Sequence, residues 1–154
     1  MSQLKGVLTV VGRVLLSTIF LMAAVGNKIP HFSEVAKVME SVGVPAPQLL
    51  LAGAIVFLIV GSVSIMVGYQ ARVGAFLLLT FLVLASYYFH AFWNVEGQAQ
   101  QEQMIQFMKN FSMMGAMIFI VANGAGPMSI DSWLQSRAAG AANEQRAVAH
   151  AHAA

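Results

Sequence analysis

Residues 47–68 read PQLLLAGAIVFLIVGSVSIMVG, a stretch without a single Asp, Glu, Lys or Arg. A helix that crosses a bilayer needs roughly 20 consecutive apolar residues. Backbone N–H and C=O groups cannot remain unpaired in hydrocarbon, so such a run pairs its own groups as an α-helix. Working outward, comparable runs occupy Val7–Gly26 before it and Arg72–Trp93 and Met108–Gly126 after it. The expected fold is all-α: a four-transmembrane-helix bundle, with a short amphipathic helix in the first external loop.

Composition agrees. Hydrophobic residues make up 58% of the 154 positions and charged residues 9%, where a soluble domain carries about 25% charged residues. Eight Lys and Arg with six Asp and Glu cannot clothe a soluble domain of this size. The net charge of +2 comes with no Lys/Arg cluster, which argues against nucleic acid as a partner. There is no cysteine, so thiolate chemistry, disulfides and Cys-ligated metals are excluded within this chain. The first apolar run exceeds a signal-peptide core and carries Arg13 inside it, so it reads as a retained span. One membrane domain over 1–134 is expected, followed by a flexible Ala-rich tail over 135–154.

With four spans the N-terminus, the Tyr69–Arg72 turn and the tail share a side, which holds Lys5, Arg13, Arg72, Arg137 and Arg146. The other side holds Lys28, Lys37 and Lys109. The positive-inside rule therefore places both termini in the cytoplasm of a multi-pass protein. In the first external loop Phe32, Val35, Ala36, Val38, Met39 and Val42 recur at helical spacing. Gly43, Pro45 and Pro47 stop that helix, which either lies on the membrane or folds back over the bundle. The Gln-rich segment Asn94–Gln106 allows a helical approach to the fourth span.

Ionisable groups at membrane depth are costly unless paired and mark candidate functional positions. They fall in two layers. On the cytoplasmic side, Arg13 and Asp131 are expected to form a structural ion pair that closes the bundle. On the external side, Lys28, His90, Trp93, Lys109 and Asn110 are expected to line a polar pocket. Two lysines and a histidine inside an aromatic rim suit an anionic or carbonyl-bearing ligand, a quinone head group included. Histidine is the side chain that ordinarily switches charge near physiological pH, so a His at position 90 suits hydrogen bonding or proton relay. Interfacial anchoring by snorkelling lysines and an aromatic belt is the competing reading of the same residues. No metal site is expected: the methionines lack a Met-x-Met motif, and His150 and His152 read as solvated tail residues. No phosphate loop, H-E-x-x-H or Ser/His/Asp set is recognisable, so no catalytic residues and no enzymatic activity are assigned.

The residues in this order resemble the DoxX family of small bacterial membrane proteins, over about residues 7 to 134. The first span carries Gly12-Arg13-Val14-Leu15-Leu16, Phe20 and Gly26-Asn27-Lys28, and Gly43-Val44-Pro45 leads into the second. Phe89-His90-Ala91-Phe92-Trp93 ends the third, Lys109-Asn110-Phe111 opens the fourth, and Gly124, Gly126 and Ser129-Ile130-Asp131 complete the pattern. The resemblance implies a four-helix protein of the bacterial inner membrane, a subunit or accessory of a quinone-linked oxidoreductase, with quinone as the implied cofactor. A redox partner protein or self-association would accompany the lipid bilayer as partners. The chain departs from the family at the start of the second span, where Leu51-Ala52-Gly53-Ala54-Ile55 lacks the customary glutamate. The alternative is a non-catalytic membrane anchor or assembly protein that uses small-residue faces such as Gly61 and Gly68.

Overall fold

Helix α1 runs from Ser2 to Met22 and widens into a π-helical stretch, Ala23–Lys28, where the Ile29 N–H donates to the Ala24 carbonyl at 2.9 Å. The remaining helices are α2 (Phe32–Ser41), α3 (Pro47–Val67), α4 (Ala71–Phe89), α5 (Gly97–Asn123) and α6 (Ile130–Ala153). A single 3₁₀ turn, Phe92–Asn94, stands between α4 and α5. The computed structural model describes residues 2–153; the side chains of His150 and His152 lie outside what it describes. Four helical segments are long and apolar enough to cross a membrane: Gln3–Lys28, Pro47–Val67, Ala71–Asn94 and Gly97–Asn123.

The spans pack in chain order, α1 on α3, α3 on α4 and α4 on α5. At the centre, Phe20 and Ala24 of α1 share a buried cluster with Met117 and Ile120 of α5, together with Leu58, Ile65, Leu78 and Leu82. The tightest seam is between α3 and α4. A Cβ on Gly61 would lie 2.9 Å from the Gly74 carbonyl oxygen, and one on Gly74 would lie 2.9 Å from that of Gly61. Small residues let membrane helices approach to this degree. Gly61 is thus used inside the chain, and so is Gly68, whose Cβ would strike Arg13 and Ser129. That removes both from the faces available to a partner, contrary to the anchoring reading of these two glycines.

Helix α2 folds back over the bundle. Ala36 and Met39 are buried with Val44 and Leu51, and Ile55, Tyr88 and Phe89 pack around them. The third span is shorter than its apolar run suggests. The helix stops at Phe89, and His90 leaves helical geometry at φ −127°. The run continues apolar beyond that point because Ala91, Phe92 and Trp93 form the turn that packs on α5.

Candidate functional site

At the end of the bundle that holds the N-terminus and α6, here called basal, the backbone must make two sharp turns. The α3–α4 turn uses Gly68 at φ 70°, with Gly68 and Tyr69 N–H groups both donating to the Ser64 carbonyl. This is a Schellman-type ending, in which a left-handed residue satisfies the last carbonyls of the helix. The next residue pair opens α4, and its free N–H groups are taken by Asp131: Oδ1 accepts from Gln70 N at 2.9 Å and Oδ2 from Ala71 N at 3.3 Å. The Asp131 N–H donates in turn to the Gly68 carbonyl at 2.9 Å. The start of α6 is therefore stitched to both sides of the α3–α4 turn.

Arg13 serves the other turn. Only 6% exposed, it donates from Nη1 to the Ala125 carbonyl at 3.1 Å and from Nη2 to the Met128 carbonyl at 2.8 Å. The direct Arg13–Asp131 ion pair is corrected by this geometry. Both residues sit in the basal layer, yet no nitrogen–oxygen contact within 4 Å joins them among the described residues, where His31–Glu34 is the pair found. The physical reason is local demand. Each turn leaves orphan backbone groups, and hydrogen bonds to those groups orient each side chain toward its own turn and hold the two charged ends apart.

The expected external cluster, at the distal end, divides into three places. His90 and Asn110 line the α4–α5 seam: His90 Nδ1 lies 2.8 Å from Gln103 Oε1, and Asn110 Nδ2 donates to Ser86 Oγ at 3.0 Å. Trp93 stands beside this seam in an aromatic group. Its ring centroid is 5.2 Å from Phe92 and 5.9 Å from Phe107, and Phe107 stacks on Phe111 at 6.3 Å. Trp93 is 51% and Phe111 59% exposed, so the group opens toward the surroundings of the bundle. Lys28 is elsewhere, turned inward with Nζ 5.4 Å from the centre of the Phe81 ring. Lys109 is exposed and belongs to an open surface groove with Met104, Ile105, Met108 and Ser112. Of the five residues, Lys109 alone lines that groove.

Gln103, Ser86 and Phe107 join the seam without having been singled out as candidates. Their signal was present. Gln103, Phe107 and Asn110 recur at helical spacing on α5, and Ser86 lies one turn before His90 on α4. Replacing Asn110 with Ala should destabilise the protein by about 0.6–1 kcal/mol, the range for one interhelical hydrogen bond in a membrane bundle. Thermal unfolding in detergent, compared with a surface change such as Ser112→Ala, measures it.

Comparison with known proteins fits this architecture. The inner membrane protein YphA of Escherichia coli (strain K12) is 29% identical over 127 residues, which is 82% of this chain and 90% of that relative. The inner membrane protein YqjF of the same organism is 29% identical over 137 residues, 89% of this chain and 99% of that relative. No solved structure matches significantly. The DoxX family model matches residues 8–91, more than half the chain, from the first turns of α1 to the His90 turn. With four apolar helices in this order and that match, the chain belongs to the DoxX family of integral membrane proteins.

Proposed function

We propose that the protein is a subunit or accessory of a quinone-linked oxidoreductase system, holding a quinone ring at the distal α4–α5 seam. The observation that carries this reading is the placement of the His90–Gln103 pair next to an aromatic group with exposed members, Trp93 and Phe111. A quinone arrives through the bilayer, its ring is flat and apolar, and its oxygens sit at the ring edge. An aromatic face that opens sideways offers offset or edge contacts worth about 0.5–1.5 kcal/mol beyond area burial. With Nδ1–H donating to Gln103 Oε1, the neutral imidazole presents Nε2 as an acceptor, which suits a quinol hydroxyl. Protonated, the same nitrogen donates to a quinone carbonyl. Lys28 and Lys109 do not belong to this seam. The relatives' inner-membrane names and the Lys/Arg count support placement in a bacterial inner membrane with the basal end, and both termini, cytoplasmic.

The test uses the intrinsic fluorescence of Trp93 in a Trp133→Phe background, which leaves a single tryptophan. Titration with a short-chain benzoquinone in mild detergent should quench it saturably. His90→Ala should weaken the apparent affinity about tenfold, the equivalent of one lost hydrogen bond of about 1.4 kcal/mol. Non-saturating quenching that is the same in both proteins would defeat the quinone reading and favour the anchor or assembly role.

A further inference from the structure

Helix α6 leaves the bundle with an apolar stripe on its outer side. At about 100° per residue, Ile130, Trp133, Leu134 and Arg137 fall within an arc of about 100°, and all four are exposed, Trp133 by 53%. The remaining arc of these two turns holds Asp131, Ser132, Gln135 and Ser136. Asp131 and Ser132 are partly buried, Asp131 being stitched to the α3–α4 turn and Ser132 Oγ donating to the Ser129 carbonyl at 2.9 Å. The bundle therefore holds the polar side of the helix and leaves the apolar side outward, the reverse of what a surface helix in water does. The stripe ends with Arg137, since the same arc carries Ala141 and Glu144 beyond it.

The stripe also has a fixed depth. The Asp131 N–H donates to the Gly68 carbonyl and its carboxylate accepts from Gln70 and Ala71, between the end of the Pro47–Val67 span and the start of Ala71–Asn94. Met128, just before α6, lies against Gly6 in the first turns of the Gln3–Lys28 span, where an added Cβ would strike its side chain. Helix α6 thus begins where three of the four spans begin or end, at the boundary of the hydrocarbon. A bilayer is about 40–45 Å thick with its headgroups and its hydrocarbon core about 30 Å, so the interfacial layer on each side is roughly 5–8 Å deep. An α-helix rises about 1.5 Å per residue, so Ile130 to Leu134 cover about 6 Å and stay within that layer whichever way α6 inclines.

We propose that the first two turns of α6 dock on the bilayer itself at the basal end, with Ile130, Trp133 and Leu134 seated in its interfacial layer and Arg137 at the lipid phosphates. Tryptophan favours this layer, where its ring is in apolar surroundings and its N–H is wet. The Arg137 guanidinium lies 4.6 Å from the centre of the Trp133 ring. That contact keeps a cation at the rim of the stripe, from which a long side chain reaches outward to phosphate. A protein partner is the poorer fit. A stable interface takes about 800 Å² from each side, and three side chains about half exposed on two helical turns supply only a fraction of that. None of these residues belongs to the His90 seam, so the inference stands independently of the quinone reading.

The experiment reads Trp133 fluorescence in the whole chain carrying Trp93→Phe, which leaves a single tryptophan, reconstituted in lipid nanodiscs whose two faces are open to water. Phosphatidylcholine brominated near the glycerol end of its acyl chains should remove most of the emission. Phosphatidylcholine brominated near the methyl end should remove little, and acrylamide in the water should quench weakly. Strong acrylamide quenching with no loss to either brominated lipid would overturn the docking. Shielding from acrylamide without loss to either lipid would put protein, a second copy included, over the stripe and overturn the bilayer as its occupant. Greater loss to the methyl-end bromine would overturn the interfacial depth. On the unaltered protein, a phosphatidylcholine with a photoreactive diazirine at the glycerol end should label residues 130–134 as it labels the exposed Leu4 and Leu8 of α1. Label on Leu4 and Leu8 with none on 130–134 would sink the proposal even if the variant failed to fold.

Discussion

Gly61→Leu should prevent the protein from accumulating in the membrane, and Gly61→Ala alone should cost about 2–3 kcal/mol. At this position even a methyl group would sit 2.9 Å from the Gly74 carbonyl oxygen and 2.7 Å from Leu78 Cγ. The leucine side chain can rotate; the carbonyl belongs to the backbone of α4 and yields only if the helices part. Overpacking a close seam costs roughly 1–3 kcal/mol and sometimes more. The same change at Gly53, where an added Cβ meets nothing within 4 Å, should alter stability by no more than about 0.5 kcal/mol. Membrane yield and the melting temperature of the two variants, measured side by side, separate helix packing from a general intolerance of larger residues. Equal behaviour of Gly61→Ala and Gly53→Ala would refute the tight α3–α4 seam.

Arg13→Ala should cost about 3 kcal/mol or more. The substitution strips the Ala125 and Met128 carbonyls of their donors in one step, and a hydrogen bond to a charged group is worth about 1.5–3 kcal/mol. Non-helical backbone at membrane depth is tolerated only where protein satisfies it. Arg13→Lys should recover part of the loss, because one ammonium cannot reproduce the planar fork that reaches two carbonyls. Asp131→Asn should be milder, about 1 kcal/mol: the amide oxygen still accepts one N–H at the start of α4, while the negative charge facing the helix N-terminus is lost. Thermal unfolding of the variants checks the order. If Arg13 and Asp131 were instead a mutual pair, removing either would cost the same and the double variant would cost no more.

The four spans were legible because an apolar run is a property of neighbouring residues, and the bilayer demands a helix from any run that long. Helix α2 was legible for a similar reason, its apolar residues recurring at 3.6-residue spacing from Phe32 to Val42. The use of charge was not. Arg13 and Asp131 are ionic in the sequence, but which atoms they serve depends on turns far away along the chain, 115 residues in the case of Arg13 and Met128. The distal candidates were legible in part. His90, Trp93 and Asn110 do lie along the α4–α5 seam, whereas Lys109 precedes Asn110 by one residue and so points about 100° away on α5. Lys28, whose amine lies over the Phe81 ring, ends a π-helical stretch for which the local residues Ala23-Ala24-Val25-Gly26 carry no recognisable signal.

The Arg13 bonds also set an order of events during biosynthesis. Synthesis proceeds at about 5–20 residues per second, so the 115 residues that separate Arg13 from Met128 take roughly 6–23 s to be made. Throughout that interval the first span is already at the translocon with its guanidinium lacking the carbonyls it will finally hold. Asp131, later still, supplies the cap on α4. Helix α1 thus waits for the turn after α5, and a nascent chain interrupted after Asn123 would contain all four described spans and still lack a closed base.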